Sequence, residues 1–183
     1  MAMEREGSQD IALALDPGNE DGTLSALRHA ADDPEGPWQP AMIGTLLGKT
    51  TSNRVRNAAA VALADLNAPE GATLIAAQVA RPEVAAASGT LLYALDRLGA
   101  ALPLDAFLTV IEHGSFEARA EALELLHADR VDLADVRDPG AVLNRLESVL
   151  VSGSGDAVDA AAESLVVLAP RLSPGSASSG SRS

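Results

Sequence analysis

The chain has 183 residues, with 26 acidic against 13 basic side chains and a formal net charge of −13. This charge repels phosphate backbones, so we expect no nucleic-acid partner. If the partner is a protein, it is expected to be basic. Cysteine is absent, which excludes disulfides, thiolate metal sites and a cysteine nucleophile. Apolar residues make up 47% of the chain and aromatic residues only 2%, so Ala, Leu and Val must build the core. That composition favours closely packed helices over strands.

Membrane and secretion signals are not expected. No apolar stretch approaches the length of a membrane span, and residues 1–6 are acidic, without an apolar core before a cleavage site. Arg far outnumbers Lys, which is typical of GC-rich genomes. We therefore expect a cytoplasmic bacterial protein without membrane association.

The N-terminal part is predicted to begin irregularly. Residues 1–22 are expected to form an irregular arm that ends in the turn-rich stretch Asp16–Gly22. A helix is predicted from Thr23, with Thr23 as its N-cap. After a turn at 32–37, a second helix is predicted from Trp38 to Leu47.

Helix pairs are predicted to follow in order. They lie at 53–66 with 71–80, at 83–98 with 104–113, and at 116–127 with 139–151, and a last helix lies at 156–171. Short polar residues are the predicted N-caps, namely Ser52, Ser115, Asp138 and Ser154. Residues 172–183 are predicted to be a disordered tail rich in Ser and Gly, because they offer too few apolar groups to offset the entropy of ordering.

One apolar pattern recurs in the first helix of each pair. In the helix at 53–66 it consists of Val55, Ala58, Ala59, Ala62, Leu63 and Leu66. The same offsets counted from Val84, Ala118 and Val158 again select mostly apolar residues, at intervals of 29, 34 and 40 residues. These offsets define one face of an α-helix, and their recurrence is the mark of a helical solenoid.

The segment 53–70 resembles a HEAT repeat of the phycobilisome-lyase type. That subtype has a Val-Arg pair, an Ala-Ala pair, an Ala-Leu pair and a Pro-Glu turn, which here are Val55-Arg56, Ala58-Ala59, Ala62-Leu63 and Pro69-Glu70. Residues 117–123 match part of the same pattern. The resemblance implies an all-α fold, a right-handed α-solenoid of about four to five HEAT-like helix pairs over residues 23–171.

HEAT-like enzymes require residues that this sequence does not supply. The HEAT-type deoxyhypusine hydroxylases use several His-Glu pairs around iron, whereas His29, His113 and His127 lie far apart. The HEAT-like alkylpurine DNA glycosylases have a basic concave surface with aromatic residues, which an acidic chain with few aromatic residues does not form. A bilin-lyase-like enzyme is a distant alternative, because nothing marks a chromophore site. We expect a non-enzyme without catalytic residues, cofactor or metal.

The polar sides of the second helices are the first candidate binding surface. Partners of helical solenoids usually contact the concave face, which the second helices line. Helical phasing places there Thr45, Ala77, Thr109, Glu112, Asn144, Glu147 and Ser148. Arg145 is expected to anchor a carboxylate of the partner. The alternative, that these residues are only the polar sides of amphipathic helices, stays open.

An acidic segment is the second candidate. Asp129, Asp132, Asp135 and Asp138 recur at intervals of three and would line one side of a short helical turn. A ridge that docks a protein, a metal site and simple solvation of a loop are the alternatives. The alternation and central Gly of a calcium-binding loop are absent, which argues against a metal.

We therefore expect an adaptor or scaffold that binds a protein partner. The alternative is an inhibitor or immunity-type protein that neutralises a basic toxin or nuclease, since opposite charge accelerates association. The oligomeric state stays open.

Overall fold

The computed structural model describes residues 18–33, 39–134, 136–153 and 155–173, and about three quarters of these residues are helical. The elements are α1 Glu20–Asp32, α2 Pro40–Lys49, α3 Asn53–Asp65, α4 Glu70–Val79, α5 Pro82–Ala85, α6 Gly89–Arg97, β1 Leu102–Pro103, α7 Leu104–His113, α8 Phe116–His127, β2 Val131–Asp132, α9 Pro139–Ser152 and α10 Asp156–Leu172. The predicted all-α class is confirmed. Among the described helices, none combines the length and apolarity that a membrane span requires.

Three of the predicted N-caps are confirmed. In each, the side-chain oxygen accepts a hydrogen bond from the backbone N–H three residues later, at 3.3, 3.3 and 3.0 Å for Ser52, Ser115 and Asp138. These bonds satisfy backbone donors that have no partner within the helix, which is why the helices begin where the sequence indicates. The predicted cap Ser154 lies outside the described residues.

The predicted start of α1 at Thr23 is wrong. The helix begins at Glu20, and the N-cap is Asn19, whose side chain accepts a hydrogen bond from the N–H of Gly22 at 3.2 Å. Thr23 is fully buried inside the helix. Asn is as good a cap as Thr, and the acidic Glu20 and Asp21 suit the positive end of the helix dipole. Most of the predicted arm (residues 1–17), Trp38 and most of the tail (174–183) lie outside the described residues.

The single helix predicted at 83–98 is divided. The short α5 ends at Ala85, and α6 begins at Gly89 after a turn. Ser88 is buried at this turn, and its hydroxyl donates a hydrogen bond to the carbonyl of Ala85 at 2.8 Å. Such a local bond competes with the hydrogen bonds of the helical backbone, and Gly89 at the next position lowers the helix propensity further.

The described residues of the acidic segment 129–138 form no helix, and one turn among them is closed by a hydrogen bond from the N–H of Val136 to the carbonyl of Leu133 at 3.4 Å. Asp129 has a φ of +59°, in the left-handed region, so the chain leaves helical geometry there. Residues Val131–Asp132 then form β2, which pairs in parallel with β1 in the register Leu102–Val131 and Pro103–Asp132. These two short strands were not predicted, because a pairing across about 30 residues leaves no local periodic pattern.

The helices are arranged in two contact series. Each member of the series α1, α3, α6, α8 and α10 contacts the next, and we call this series the first layer. Each member of the series α2, α4, α7 and α9 likewise contacts the next, and we call it the second layer. The layers meet through pairs such as α7 with α8 and α9 with α10. Their buried apolar side chains form one cluster that extends from Leu24 to Leu172.

Two arginines at equivalent positions connect one helix to the next. Arg56 lies four residues after its N-cap serine on α3 and donates a hydrogen bond to the carbonyl of Thr50, at the end of α2, at 3.2 Å. Arg119 holds the same place on α8 and donates to the carbonyl of Ile111, near the end of α7, at 2.9 Å. A cationic donor is favourable at a helix C-terminus. Burial of Arg56, and secondarily the nearby Arg81, lower the pKa of its guanidinium.

An aspartate–arginine ladder joins consecutive helices of the first layer. Its three ion pairs are Asp65 with Arg97, Asp96 with Arg130, and Asp129 with Arg171. In the dipeptides at 96–97 and 129–130, the aspartate forms its ion pair with an arginine further along the chain, and the arginine forms its ion pair with an aspartate earlier in the chain. The ladder therefore repeats with the helices. It also gives Asp129, for which a docking ridge is one of the predicted roles, a partner within the chain.

Substitutions at buried and at exposed positions are expected to change the free energy of unfolding by different amounts. Leu63 and Leu92 are 0% exposed, so Leu63→Ala or Leu92→Ala should lower the free energy of unfolding by about 2–5 kcal/mol through lost burial and a cavity. The control Val166→Ala, at a side chain that is 76% exposed, should change it by less than about 0.5 kcal/mol. Urea denaturation followed by circular dichroism measures both, and a loss below about 0.5 kcal/mol for Leu92→Ala would contradict this packing.

Candidate functional site

The residues predicted for the second-layer surface differ in exposure. Thr45, Ala77, Asn144, Glu147 and Ser148 are exposed, as expected. The expected exposure of Thr109 is wrong, since its side chain is buried and its hydroxyl donates a hydrogen bond to the carbonyl of Asp105 at 2.8 Å. Thr109 therefore lies on the buried side of α7 and offers no surface to a partner.

A cleft of about 420 Å³ lies between α7, β2 and the start of α9. We call it the charged cleft, and its lining residues are Pro103, Leu104, Asp105, Leu108, Asp132, Val136, Arg137, Asp138, Ala141, Val142 and Arg145. Charged side chains of both signs thus lie beside an apolar wall. This combination suits a polypeptide segment that carries both apolar and charged residues.

A second cleft of about 400 Å³ lies between α4 and α7. We call it the alanine cleft, and its lining residues are Ala72, Thr73, Ala76, Ala77, Ala80, Ala100, Ala101, Pro103, Asp105 and Ala106. Pro103 and Asp105 line both clefts, so the two adjoin at these residues. We refer below to the two adjoining clefts, which lie along α4, α7 and the start of α9, as the groove.

Arg145 ties the wall of the charged cleft together. Its Nε and Nη2 donate hydrogen bonds to the two carboxylate oxygens of Glu112 at 2.8 and 2.7 Å, and its Nη1 lies 3.2 Å from Asp105 Oδ1. The hydrogen bonds that Arg145 donates to Glu112 are the main reason that the pKa of Arg145 lies above its usual value. Arg145 is therefore permanently charged, and all three nitrogens of its guanidinium are engaged within the chain. The anchoring of a partner's carboxylate stays a prediction.

The carboxylates of the acidic segment point to different partners. Asp129 pairs with Arg171 at 2.8 Å, away from the charged cleft. Asp132 lines the cleft and accepts a hydrogen bond from the N–H of Ala134 at 2.9 Å, and Asp138 lines it while capping α9. Asp135 lies outside the described residues. The expected ridge is thus divided, and two of its members join the groove.

Asp105 is the groove residue that the sequence analysis missed. It lies in the first turn of α7, and its side chain is 92% exposed at the junction of the two clefts. An acidic residue in a first helical turn is explained locally by the helix dipole, so its sequence context carries no further signal. Its place in the groove depends on β1 and α9, which lie elsewhere in the chain.

The charged cleft has a surplus of negative charge. Asp105, Asp132 and Asp138 line it together with Arg137 and Arg145, and Glu112 binds Arg145 from behind. Four carboxylates therefore stand against two guanidinium groups, and the apolar wall beside them reduces screening by water. Such a surface attracts the cationic side chains of a partner.

The histidines lie outside the groove or at its edge. His127 Nε2 lies 2.6 Å from the carboxylate of Glu163, and His113 Nε2 lies 3.8 Å from that of Glu112. Across the described ranges, no group of three or more His, Asp or Glu side chains is placed to bind a metal ion.

The strength of the Arg145–Glu112 ion pair, which joins α9 to α7, can be measured as a coupling energy. A double-mutant cycle of Arg145→Met and Glu112→Gln should give about 1 kcal/mol, because the pair is bidentate and Glu112 is mostly buried. The matched cycle of Arg54→Met and Glu20→Gln tests a pair with side chains 67% and 38% exposed, and it should give less than about 0.5 kcal/mol. Equal coupling in the two cycles, measured by urea denaturation, would show that the Arg145 tie has no special role.

Comparisons of the chain with protein-family models, with curated proteins and with solved structures yielded no match. The resemblance of residues 53–70 to a HEAT repeat therefore stays a prediction. The function is argued below from the groove and its charges.

Proposed function

We propose that the chain is a non-enzymatic scaffold or adaptor that binds a segment of a protein partner in the groove. The observation that carries this proposal is that the charged cleft and the alanine cleft adjoin at Pro103 and Asp105. Two adjoining clefts offer a polypeptide segment a more extended surface than one enclosed pocket, which suits a small metabolite.

The charged groups of the groove are positioned by contacts within the chain. Arg145 is held by Glu112, Asp132 by the N–H of Ala134, and Asp138 by the N–H of Ala141. Charges held in fixed positions suit electrostatic recognition of a partner. The surplus of carboxylates favours a basic partner. A basic toxin or nuclease, neutralised by this chain as an inhibitor, is a special case that the net charge of −13 also favours.

We also propose that residues 23–171 form a right-handed solenoid of about four to five HEAT-like helix pairs. The two contact series support this proposal, since each layer is extended by one helix at a time. Further support comes from the aspartate–arginine ladder, whose aspartates at 65, 96 and 129 are spaced by 31 and 33 residues. In such an array the second layer is the usual partner-binding side, and the groove lies on that layer.

Peptide display on the full chain tests the proposed function. A random peptide library panned against the chain should yield binders that lose affinity by about ten-fold with Ala77→Tyr, because the ring fills the alanine cleft. The matched control Ala162→Tyr changes an exposed alanine of α10 that lines neither cleft, and it should alter affinity by less than about two-fold.

Circular dichroism would first establish that both variants are folded. Binders that tolerate Ala77→Tyr as well as Ala162→Tyr would place the binding surface elsewhere. Repeated selections without any binder would remove the support for a peptide-binding groove.

A further inference from the structure

Helices α4, α7 and α9 supply most of the walls of the groove, and residues in the segments 100–103 and 132–138 supply the rest. The helical part restricts the backbone conformation of an occupant. The N–H and C=O groups of α4, α7 and α9 are hydrogen-bonded within their own helices, so the walls offer few backbone partners. In the described part of the chain the strands are two residues long, and Pro103 of β1 has no N–H to donate. An extended segment would leave its own backbone groups without partners, whereas a helix satisfies them internally.

The dimensions of the groove fit a short helix. It crosses α4, α7 and the start of α9, and packed helices lie about 8–10 Å apart, so the two steps span roughly 16–20 Å. At about 1.5 Å per residue, a helix of about 11–13 residues covers this distance. The small side chains of Ala76, Ala77 and Ala101 allow its axis to approach closely.

The charges of the groove differ between its two halves. The alanine cleft contains one ionisable side chain, Asp105, which stands at the junction. Beyond it, Asp132 and Asp138 are exposed in the charged cleft. Arg145 is shared between Glu112 and Asp105, and Arg137 is the other cation of the lining, so two guanidinium groups face four carboxylates. A cationic side chain gains most if it enters the groove at the junction or in the charged cleft.

We infer that the occupant is an α-helix of the partner, with small or apolar residues over the alanine cleft and a Lys or Arg that reaches Asp105. This inference rests on the proposed protein-binding function of the groove. It adds the conformation and the recognition chemistry of the partner segment.

Three matched display libraries test the inference. Each consists of peptides of about 16 residues with apolar residues at helical spacing, long enough to span about 24 Å as a helix. The first carries Lys near one end, the second carries Glu at the same positions, and the third keeps the Lys residues but has a central Pro that breaks the helix. Panning uses the full chain, the variant Asp105→Lys and the control Asp159→Lys. Asp105 and Asp159 both lie in the first turn of a helix, so the two variants disturb a helix dipole alike.

The expected result is enrichment from the first library alone. Its binders should lose affinity by about ten-fold with Asp105→Lys and by less than about two-fold with Asp159→Lys, and added salt should weaken them. Equal enrichment from the Glu library would overturn the cationic contact, and equal enrichment from the Pro library would overturn the helix. No enrichment from any of the three would overturn both.

The random library distinguishes this failure from that of the proposed function. If its binders depend on Ala77 but are acidic or non-helical, the groove binds protein segments and only the present inference fails. If neither kind of library yields binders that depend on Ala77, the proposed function fails as well.

Discussion

The structure depends on burial of Ala-rich and Leu-rich faces between two layers of helices. The chain has few aromatic residues, so its helices must approach closely to bury enough apolar area, and alanines such as Ala59 and Ala122 are completely buried at these contacts. The same reliance on small side chains continues to the surface of the second layer. The alanine cleft between α4 and α7 is therefore a consequence of how the core is built.

Arginine is used mainly to hold the helices in place. In the described residues, ion pairs with carboxylates occupy Arg54, Arg81, Arg97, Arg119, Arg130, Arg145 and Arg171. Each exposed pair contributes little free energy by itself. All of these pairs except the local Arg81–Glu83 join parts of the chain that are more than 30 residues apart. Since acidic residues outnumber basic ones two to one, engaging the arginines leaves an excess of carboxylates for the surface. The proposed preference for a basic partner is thus connected to the internal use of arginine.

Local chemistry explains which parts of the fold were predictable. The helices at 53–65 and 116–127 were predicted almost to the residue, because each has a serine cap and an apolar stripe, which in the second helix is interrupted at Glu121. The helix predicted at 83–98 has the same stripe, yet it is interrupted where the Ser88 hydroxyl bonds the carbonyl of Ala85. Periodicity identifies most of the buried face of a segment, but in α10 the repeated offsets also select Ala162 and Val166, which are exposed. Periodicity also does not report a competing hydrogen bond inside a segment.

The sequence by itself determined the all-α class, the absence of thiol chemistry, the acidic surplus and most of the helix boundaries, because these follow from composition and from contacts within a few residues. Only the tertiary structure decided that Arg145 meets Glu112, 33 residues away, and that Asp129 meets Arg171, 42 residues away. It likewise placed Asp105 at the junction of two clefts. Such contacts depend on the distance and rotation between packed helices, which the packing of whole faces sets and which no local pattern encodes.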